Sequence, residues 1–534
     1  MIERIIENWL DKASEKAFQV PFCYMLIEQG HTIIHMTRHC GMEHGKDIIS
    51  YDQEGNLCAF QLKGAAGTKI KLRDWKQEIH GQVLQLIFTP ISHPSVVDNR
   101  YHRSYFVTNG EIEEEVSHAI VALNQQHKDR NQPHNQLYAI VGGQMKKMAQ
   151  RLGNSFMQAD TYDFKVLLEF LLEDGKGMLD KEKLAGLLEL AMKDEKLSQN
   201  KYKEKINNAA LLVSVITSNF TAQQNHFAIF EAWTMYLSYL MRFAERNQLA
   251  VTLYHSEYQL AKQMTIDSLE NLWSEVQGGK DFLTGNYLED SFFHEYKKTM
   301  LLGSLSLLGL HHLFFGSEFD HQKLACFIEK HFYKIKIWGE SAHAYTLCTY
   351  WYFKKVDATD KSAEFLKSLI NGIIEINRVD GLANPYYGVE DCALHNFLNQ
   401  DTVEIDKKHS YYLEGFINLL VLQNYKNEIK FLWRDISYFV FKEFRLNETS
   451  DFYCWRNKLG KEHSVLPKLK QEWQELVDQS KESEGKDLPL SLKDDPVLYP
   501  QLLLIMPHRS SVAGIRWFNS KLNNIGLAKP HSKL

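Results

Sequence analysis

Asp47 and the tripeptide Gln61-Leu62-Lys63 are the residues of this chain whose types and spacing best suit a reaction. Successive residues of a strand alternate between faces, so Gln61 and Lys63 project together. The turn Asp52-Gln53-Glu54-Gly55-Asn56 has hairpin composition and would set Asp47, near the start of one strand, opposite the end of the next. A carboxylate, an amide oxygen and an ammonium then converge. Such a set suits metal-assisted hydrolysis of a phosphodiester. Hard oxygens hold Mg²⁺ or Mn²⁺, the cation polarises the phosphate and lowers the pKa of water, and the lysine stabilises the attacking hydroxide or the developing charge. Taken singly, Asp47 is equally a turn cap and Lys63 a solvated strand-end lysine.

Charge beside this set favours a polyanion. Between residues 63 and 76 stand Lys63, Lys69, Lys71, Arg73 and Lys76 against the single acid Asp74. Arg100, His102 and Arg103 extend the basic run, and Gln82 is a candidate to touch the site. The whole chain, at 61 basic and 67 acidic residues, carries a net charge of −6, which excludes an indiscriminate whole-chain attraction to nucleic acid. Any DNA contact must be local. Backbone contacts of this kind carry affinity without base specificity.

The elements that must position these residues form an α/β pattern over the first 150 positions. The spacing predicts a helix over 3–26, strands over 32–36, 46–50 and 57–62, a helix over 74–88, a strand over 104–108, and a last strand over 136–141 after another helix. That order gives a small mixed sheet flanked by helices.

The series Gly41-Met42-Glu43-His44-Gly45-Lys46-Asp47-Ile48, then Gln61-Leu62-Lys63-Gly64, Gly81-Gln82, Tyr105-Phe106-Val107-Thr108-Asn109-Gly110 and Ala139-Ile140-Val141-Gly142-Gly143-Gln144 resembles the Mrr-type restriction endonuclease branch of the PD-(D/E)xK nuclease superfamily. That branch is similar in placing Gln where most relatives carry Asp or Glu. The resemblance covers roughly residues 20–150. It implies that Asp47 and Gln61 are metal ligands and Lys63 the catalytic lysine. It also implies a glutamate from the first helix, for which Glu28 is the candidate and Glu43 the competitor. The sequence departs from the family in carrying Gly142 where relatives often have an acid. Domains of this kind also stand at the N-terminus of longer bacterial anti-phage effectors, and the arrangement here looks like theirs.

Beyond residue 150 the chain changes character. No proline occurs between Pro133 and Pro385, and apolar residues recur at helical spacing over 163–172, 181–192 and 227–242, then over 410–444 and 466–477. No fixed repeat is visible. The expected division is a nuclease domain over 1–155, a large all-α, irregular helical region over 156–478, a polar linker over 479–495, and a short C-terminal segment over 496–534 packed on the helical region. The nuclease part is nearly neutral, with 16 basic and 17 acidic residues in 1–150, so most of the acidity lies on the helical mass.

Seven scattered cysteines without a CxxC pair read as reduced, intracellular thiols. His31, His35, His39 and His44 lie in a segment whose composition favours strand and turn over a zinc-binding helix, and the adjacent His311 and His312 diverge on a helix. The aromatic run 345–353 reads as core. The nineteen residues 299–317 lack Asp, Glu, Lys and Arg but hold three glycines and polar groups, so they read as a buried helix and not a membrane span. With no phosphate-binding GxxxxGK[ST] loop and no secretory signal, the expectation is a cytoplasmic, metal-dependent endonuclease acting on double-stranded DNA with low sequence specificity. The helical region would bind a protein partner in a defence or restriction complex, or drive homo-oligomerisation. The alternative is a catalytically silent nuclease-like domain that only binds nucleic acid or a partner. RNA is a further possible substrate for the same chemistry.

Overall fold

The computed structural model describes residues 10–36, 45–91, 96, 101–132, 134–153, 161–193, 197–279, 290–316, 318–356, 361–398, 403–456, 461–481 and 483–525. The chain divides into two compact units, Met1–Ser268 and Leu269–Leu534.

The first unit is built round a five-stranded mixed sheet. The helix α1 (Glu15–Glu28) starts at Ser14, whose hydroxyl accepts a hydrogen bond from the Ala17 amide. The expected helix over 3–26 is thus interrupted: Leu10 is helical, the chain turns at residues 11–12, and Ser14 opens a new helix; residues 1–9 lie outside the described residues. Strands β1 (Thr32–Met36), β2 (Ile48–Tyr51) and β3 (Leu57–Lys63) follow as an antiparallel meander. Gly55 takes the left-handed conformation (φ 77°) that the β2–β3 turn needs, and the Asp52 amide donates to the Asn56 carbonyl across it.

After β3 come the two-residue strand β4 (Lys69–Ile70) and a continuous helix, α2, of three stretches: Leu72–Asp74, Trp75–Ile79 in π geometry, and His80–Phe88. Then follow β5 (Arg103–Thr108), β6 (Glu111–Ile112), α3 (Glu114–Asp129) and β7 (Leu137–Ile140). The sheet order is β1-β2-β3-β5-β7, with β3, β5 and β7 mutually parallel. Parallel neighbours require crossovers, and α2 and α3 supply them. β4 and β6 pair as a separate ribbon that the sequence pattern did not suggest.

Both faces of the sheet are covered. Phe22 of α1 meets Phe60 of β3 edge to face at 5.7 Å. On the other side Trp75, Val83 and Leu86 of α2 pack with Leu57, Ala59 and Phe106. Since Leu57 and Ala59 face α2, strand alternation sends Gln61 and Lys63 to that side as well. The rest of the unit is helical: α4 (Gly142–Gly153), α5 (Thr161–Leu172), α6 (Lys181–Ala191), α7 (Gln199–Ala222) and α8 (His226–Arg246) precede a helix that begins at Val251. The Tyr24 ring of α1 stacks on Trp233 of α8 with centroids 5.9 Å apart. The compact unit thus extends from the sheet through these helices to Ser268, past the boundary expected near 155.

The second unit is mainly helical. The uncharged run beginning at Thr299 lies in a helix, Asp290–Phe315, packed along Ala342–Val356. Its glycines mark the contact. A Cβ on Gly303 would stand 2.6 Å from Tyr345, and one on Gly309 would stand 2.2 Å from Tyr352. Small residues here let two helices approach, which explains the composition of the run without a lipid environment. Among the described residues no helix is long and apolar enough to cross a membrane.

Two expectations for this unit are corrected. The region is not all-α: His409–Ser410, Val440–Arg445 and Lys461–Val465 form a three-stranded sheet, and Leu382–Ala383 pairs with Ile405–Asp406. The segment 479–495 is not a free linker. The Ser480 hydroxyl donates to Asn418 Oδ1 at 2.7 Å, Leu488 and Leu492 are buried, and Gly485 lies against the Trp517 ring. Its few apolar side chains do the packing that its polar composition conceals. The C-terminal helices Leu498–Ile505 and Val512–Asn523 are core elements, with Phe518 against Trp351 at 4.5 Å.

Candidate functional site

The β2–β3 hairpin fixes the centre of the site. Its register pairs Ile48 with Phe60, which places Asp47 level with Gln61. The Asp47 amide donates to the Phe60 carbonyl at 2.8 Å and holds this register beyond the end of β2. Asp47 and Gln61 are 6% and 5% exposed, so both polar side chains are committed to the interior. Asp47 Oδ2 accepts from the Leu62 amide at 2.6 Å and from Gln61 Nε2 at 2.7 Å. Gln61 Nε2 also donates to the Leu62 carbonyl at 3.2 Å. The other end of the amide, Oε1, is buried with no hydrogen-bond partner among the described residues.

Lys63 closes the same strand on the same face, half-buried, beside Thr108 of β5. The next residue, Gly64, donates its amide to Glu15 at the start of α1 at 3.1 Å. A Cβ on Gly64 would stand 3.0 Å from the Glu15 main chain, so glycine permits this close approach. Glu15 is thus the acid that α1 brings to the main chain just after Lys63. It was hidden in the sequence because a helix running from residue 3 leaves no reason to single out position 15.

Glu28, the acid expected to complete the site, does not reach it. α1 touches the Asp47 region through Gln19, whose Nε2 lies 3.5 Å from the Asp47 carbonyl oxygen. Glu28 lies nine residues further along, about 13 Å at helical rise. Its carboxylate instead accepts from Asn207 Nδ2 of α7 at 2.9 Å. Glu43 and Arg100 lie outside the described residues.

Lys46, next to Asp47, is 4% exposed, and burial pushes its ammonium down to about 8. Its Nζ faces the Gln85 carbonyl of α2 at 3.5 Å, and the neighbouring His102 ring meets the Leu86 carbonyl at 2.6 Å. Burial lowers the His102 pKa; the Leu86 carbonyl opposes the shift and the Lys46 charge adds to it. Neither inward orientation was legible from residue type. Gln82 is half-buried on α2 with its Oε1 buried and without a hydrogen-bond partner among the described residues. Gly45 (φ 75°) lets the chain pass between these groups, since a Cβ there would stand 2.7 Å from the Gln82 carbonyl and 3.1 Å from Gln61 Oε1.

The loop after Lys63 is held by Asn109. Its Oδ1 accepts from the Ala65 amide at 2.9 Å, and its Nδ2 donates to the carbonyls of Leu10 and Ala13 at 2.7 and 2.8 Å. A Cβ on Gly142 would stand 2.6 Å from the Asn109 carbonyl, which accounts for glycine at this position. Lys69, Lys71, Arg73 and Lys76 are all exposed along β4 and the start of α2, with Arg73 3.4 Å from Asp74. Two nearby acids act as caps: Glu113 accepts from the Leu72 amide and Glu111 from the Gly143 amide, each at 3.1 Å.

Arg103 does not belong to this patch. It opens β5 beside Cys58, at the other end of the sheet from Lys63, and its guanidinium pairs with Asp52 at 2.7 Å and Glu54 at 3.3 Å. Five strand residues separate the two levels, about 16 Å.

Among the described residues no three His, Cys, Asp or Glu side chains gather as a metal-binding group. A cation at Asp47 would be held by one carboxylate together with neutral oxygens such as the Leu62 carbonyl; Gln61 turns its Nε2 to Asp47 and its buried Oε1 to the Gly45 side, so its oxygen would join them only after the amide rotates. No known protein family, curated protein or solved structure matches the chain. The chemistry must therefore be read from these residues.

Proposed function

We propose that the first unit is a Mg²⁺- or Mn²⁺-dependent endonuclease acting on double-stranded DNA with low sequence specificity. The observation that carries the reading is the rung itself. Asp47 and Gln61 stand level and buried, Gln61 Oε1 lacks a hydrogen-bond partner among the described residues, and Lys63 lies two residues further on the same face. Bound there, the cation would polarise a phosphate and acidify water. Asp47, Gln61 Oε1 and the Leu62 carbonyl are the groups to hold it. Lys63 would stabilise charge developing on the phosphate, while Lys69, Lys71, Arg73 and Lys76 hold the flanking backbone by exposed positive charge.

The helical region would gate this activity, through a protein partner in an anti-phage or restriction complex or by homo-oligomerisation. A low-specificity cutter endangers its own cell unless switched on by demand. α1 is suited to carry such a signal within the first unit: Glu15 meets the loop after Lys63, Gln19 meets Asp47, and Glu28 is tied to α7.

The test is Mg²⁺-dependent nicking of plasmid DNA by the full chain with its partner components present. Asp47→Ala and Lys63→Ala are each expected to lower the rate about 10³-fold. Cleavage unchanged in both purified variants would sink the assignment. A second reading, a silent binding module, is favoured by one contact, the Gln61 amide nitrogen donating to Asp47 where an active site needs oxygen. Absence of Mg²⁺ and Mn²⁺ binding with retained DNA affinity would select it, and an RNA duplex run in parallel separates the two substrates.

A further inference from the structure

The Gln61 amide is placed the wrong way round for a ligand and the right way round for a clamp. Its Nε2 lies 2.7 Å from Asp47 Oδ2 and 3.2 Å from the Leu62 carbonyl oxygen. Adjacent ligands on an octahedral Mg²⁺ with bonds near 2.1 Å stand about 3 Å apart. The nitrogen therefore occupies a position that an oxygen ligand would take, and its N–H groups supply the positive charge density that keeps two oxygens together. Exchanging nitrogen for oxygen without a cation would set three oxygens against each other.

The opposite end of the amide, Oε1, is buried without a hydrogen-bond partner among the described residues. It faces Gly45, and the main-chain oxygen of Gln82 lies against the same glycine. The Gln82 Oε1 is likewise buried and without a hydrogen-bond partner among the described residues. The amide thus points its oxygen toward Gly45 and the α2 main chain and its nitrogen toward the carboxylate. A half-turn about the Cγ–Cδ bond reverses both relations. It delivers Oε1 to the Asp47 side, where a cation would be needed, and the N–H groups to the side of Gly45 and α2.

We propose that Gln61 is a cation-operated clamp: without metal its amide nitrogen closes on Asp47, and divalent cation binding turns the amide so that Oε1 joins Asp47 as a ligand. The proposal rests on the nuclease reading and adds a closed state to it. A neutral amide permits this two-way use, whereas a glutamate at 61 would confront Asp47 with a second negative charge in the metal-free protein.

The experiment uses the full chain labelled with [side-chain ¹⁵N]glutamine, the Gln61 signal being identified by its loss in Gln61→Glu. Mg²⁺ is titrated alone and in the presence of a phosphorothioate DNA duplex, with binding followed in parallel by calorimetry. The expected result is a Gln61 NH₂ pair shifted by its carboxylate partner before Mg²⁺ and moved to a new position in step with Mg²⁺ occupancy. The Gln61→Glu protein is expected to melt lower than wild type without metal, to gain more from Mg²⁺, and to bind it about tenfold more tightly through the added charge. Mg²⁺ binding with an unmoved Gln61 NH₂ signal overturns the clamp and leaves the nuclease reading standing. No binding of Mg²⁺ in either condition overturns both.

Discussion

The two ends of the central sheet treat their charges in opposite ways. At the β2–β3 turn, Asp52 accepts from the Glu54 and Asn56 amides at 3.0 and 2.8 Å and from Arg103 at 2.7 Å. Burial pushes its carboxyl up, but the Asn56 hydrogen bonds and the Arg103 guanidinium outweigh that and hold it below its ordinary value. At the other end Asp47 is buried, Lys46 is depressed to about 8 by burial, and the oxygens of Gln61 and Gln82 have no hydrogen-bond partner among the described residues. One end is saturated and partly solvated. The other keeps ionisable groups out of water and leaves acceptors open, an arrangement that costs stability and that functional sites tolerate.

The widest separation of the two ends is expected from their carboxylates. Asp47→Ala removes the proposed cation's only charged protein ligand among the described residues, so plasmid nicking falls by the three orders of magnitude given above. Asp52→Ala disturbs a turn and an exposed ion pair, lowering stability by about 1 kcal/mol and leaving nicking within about twofold. Urea melts alongside nicking assays would read both. A large loss of cleavage in Asp52→Ala at full stability would erase the contrast.

Lys46 tests the cost of the inner end. Its pKa falls from 10.5 to about 8 on folding, so between those values the unfolded chain binds more protons and stability rises with pH. Below pH 8 the penalty is fully present. Lys46→Met is expected to raise stability at pH 7 by about 2 kcal/mol and to flatten the wild-type rise between pH 8 and 10.5. Thermal melts across that range would decide it. A variant less stable than wild type at pH 7 would mean that the ammonium's contacts outweigh its burial.

How much of this was visible in the sequence follows from the range of each interaction. The β2–β3 hairpin was legible because period-two alternation and the Asp52–Asn56 turn are local, and they suffice to bring Asp47 level with Gln61. Glu28 misled because its partner, Asn207, is 179 residues away and no local pattern announces it. Asn109 ties Ala65 to the segment before α1 across a separation of 99 residues to Leu10, and type alone marked it only as part of a turn. Glu15 depended on where α1 begins, which Ser14 decides by capping. The segment 479–495 hid its packing because a few side chains, Leu488 and Leu492 among them, bury while charged neighbours dominate its composition.

Arg103 gives the smallest expected effect and the finest test of the contrast. Its charge is formally part of the basic run near the site, yet its guanidinium is paired with Asp52 and Glu54 at the far end of β5. Exposed pairs of this kind contribute about 0–1 kcal/mol. Arg103→Gln should therefore shift the urea midpoint by no more than that, and should leave DNA affinity and its salt dependence unchanged, because no phosphate contact is lost. The same change at Lys71 is expected to reduce the salt slope by about one. Equal salt slopes lost at both positions would mean that DNA spans both ends of the sheet, and that the saturated end is part of the binding surface.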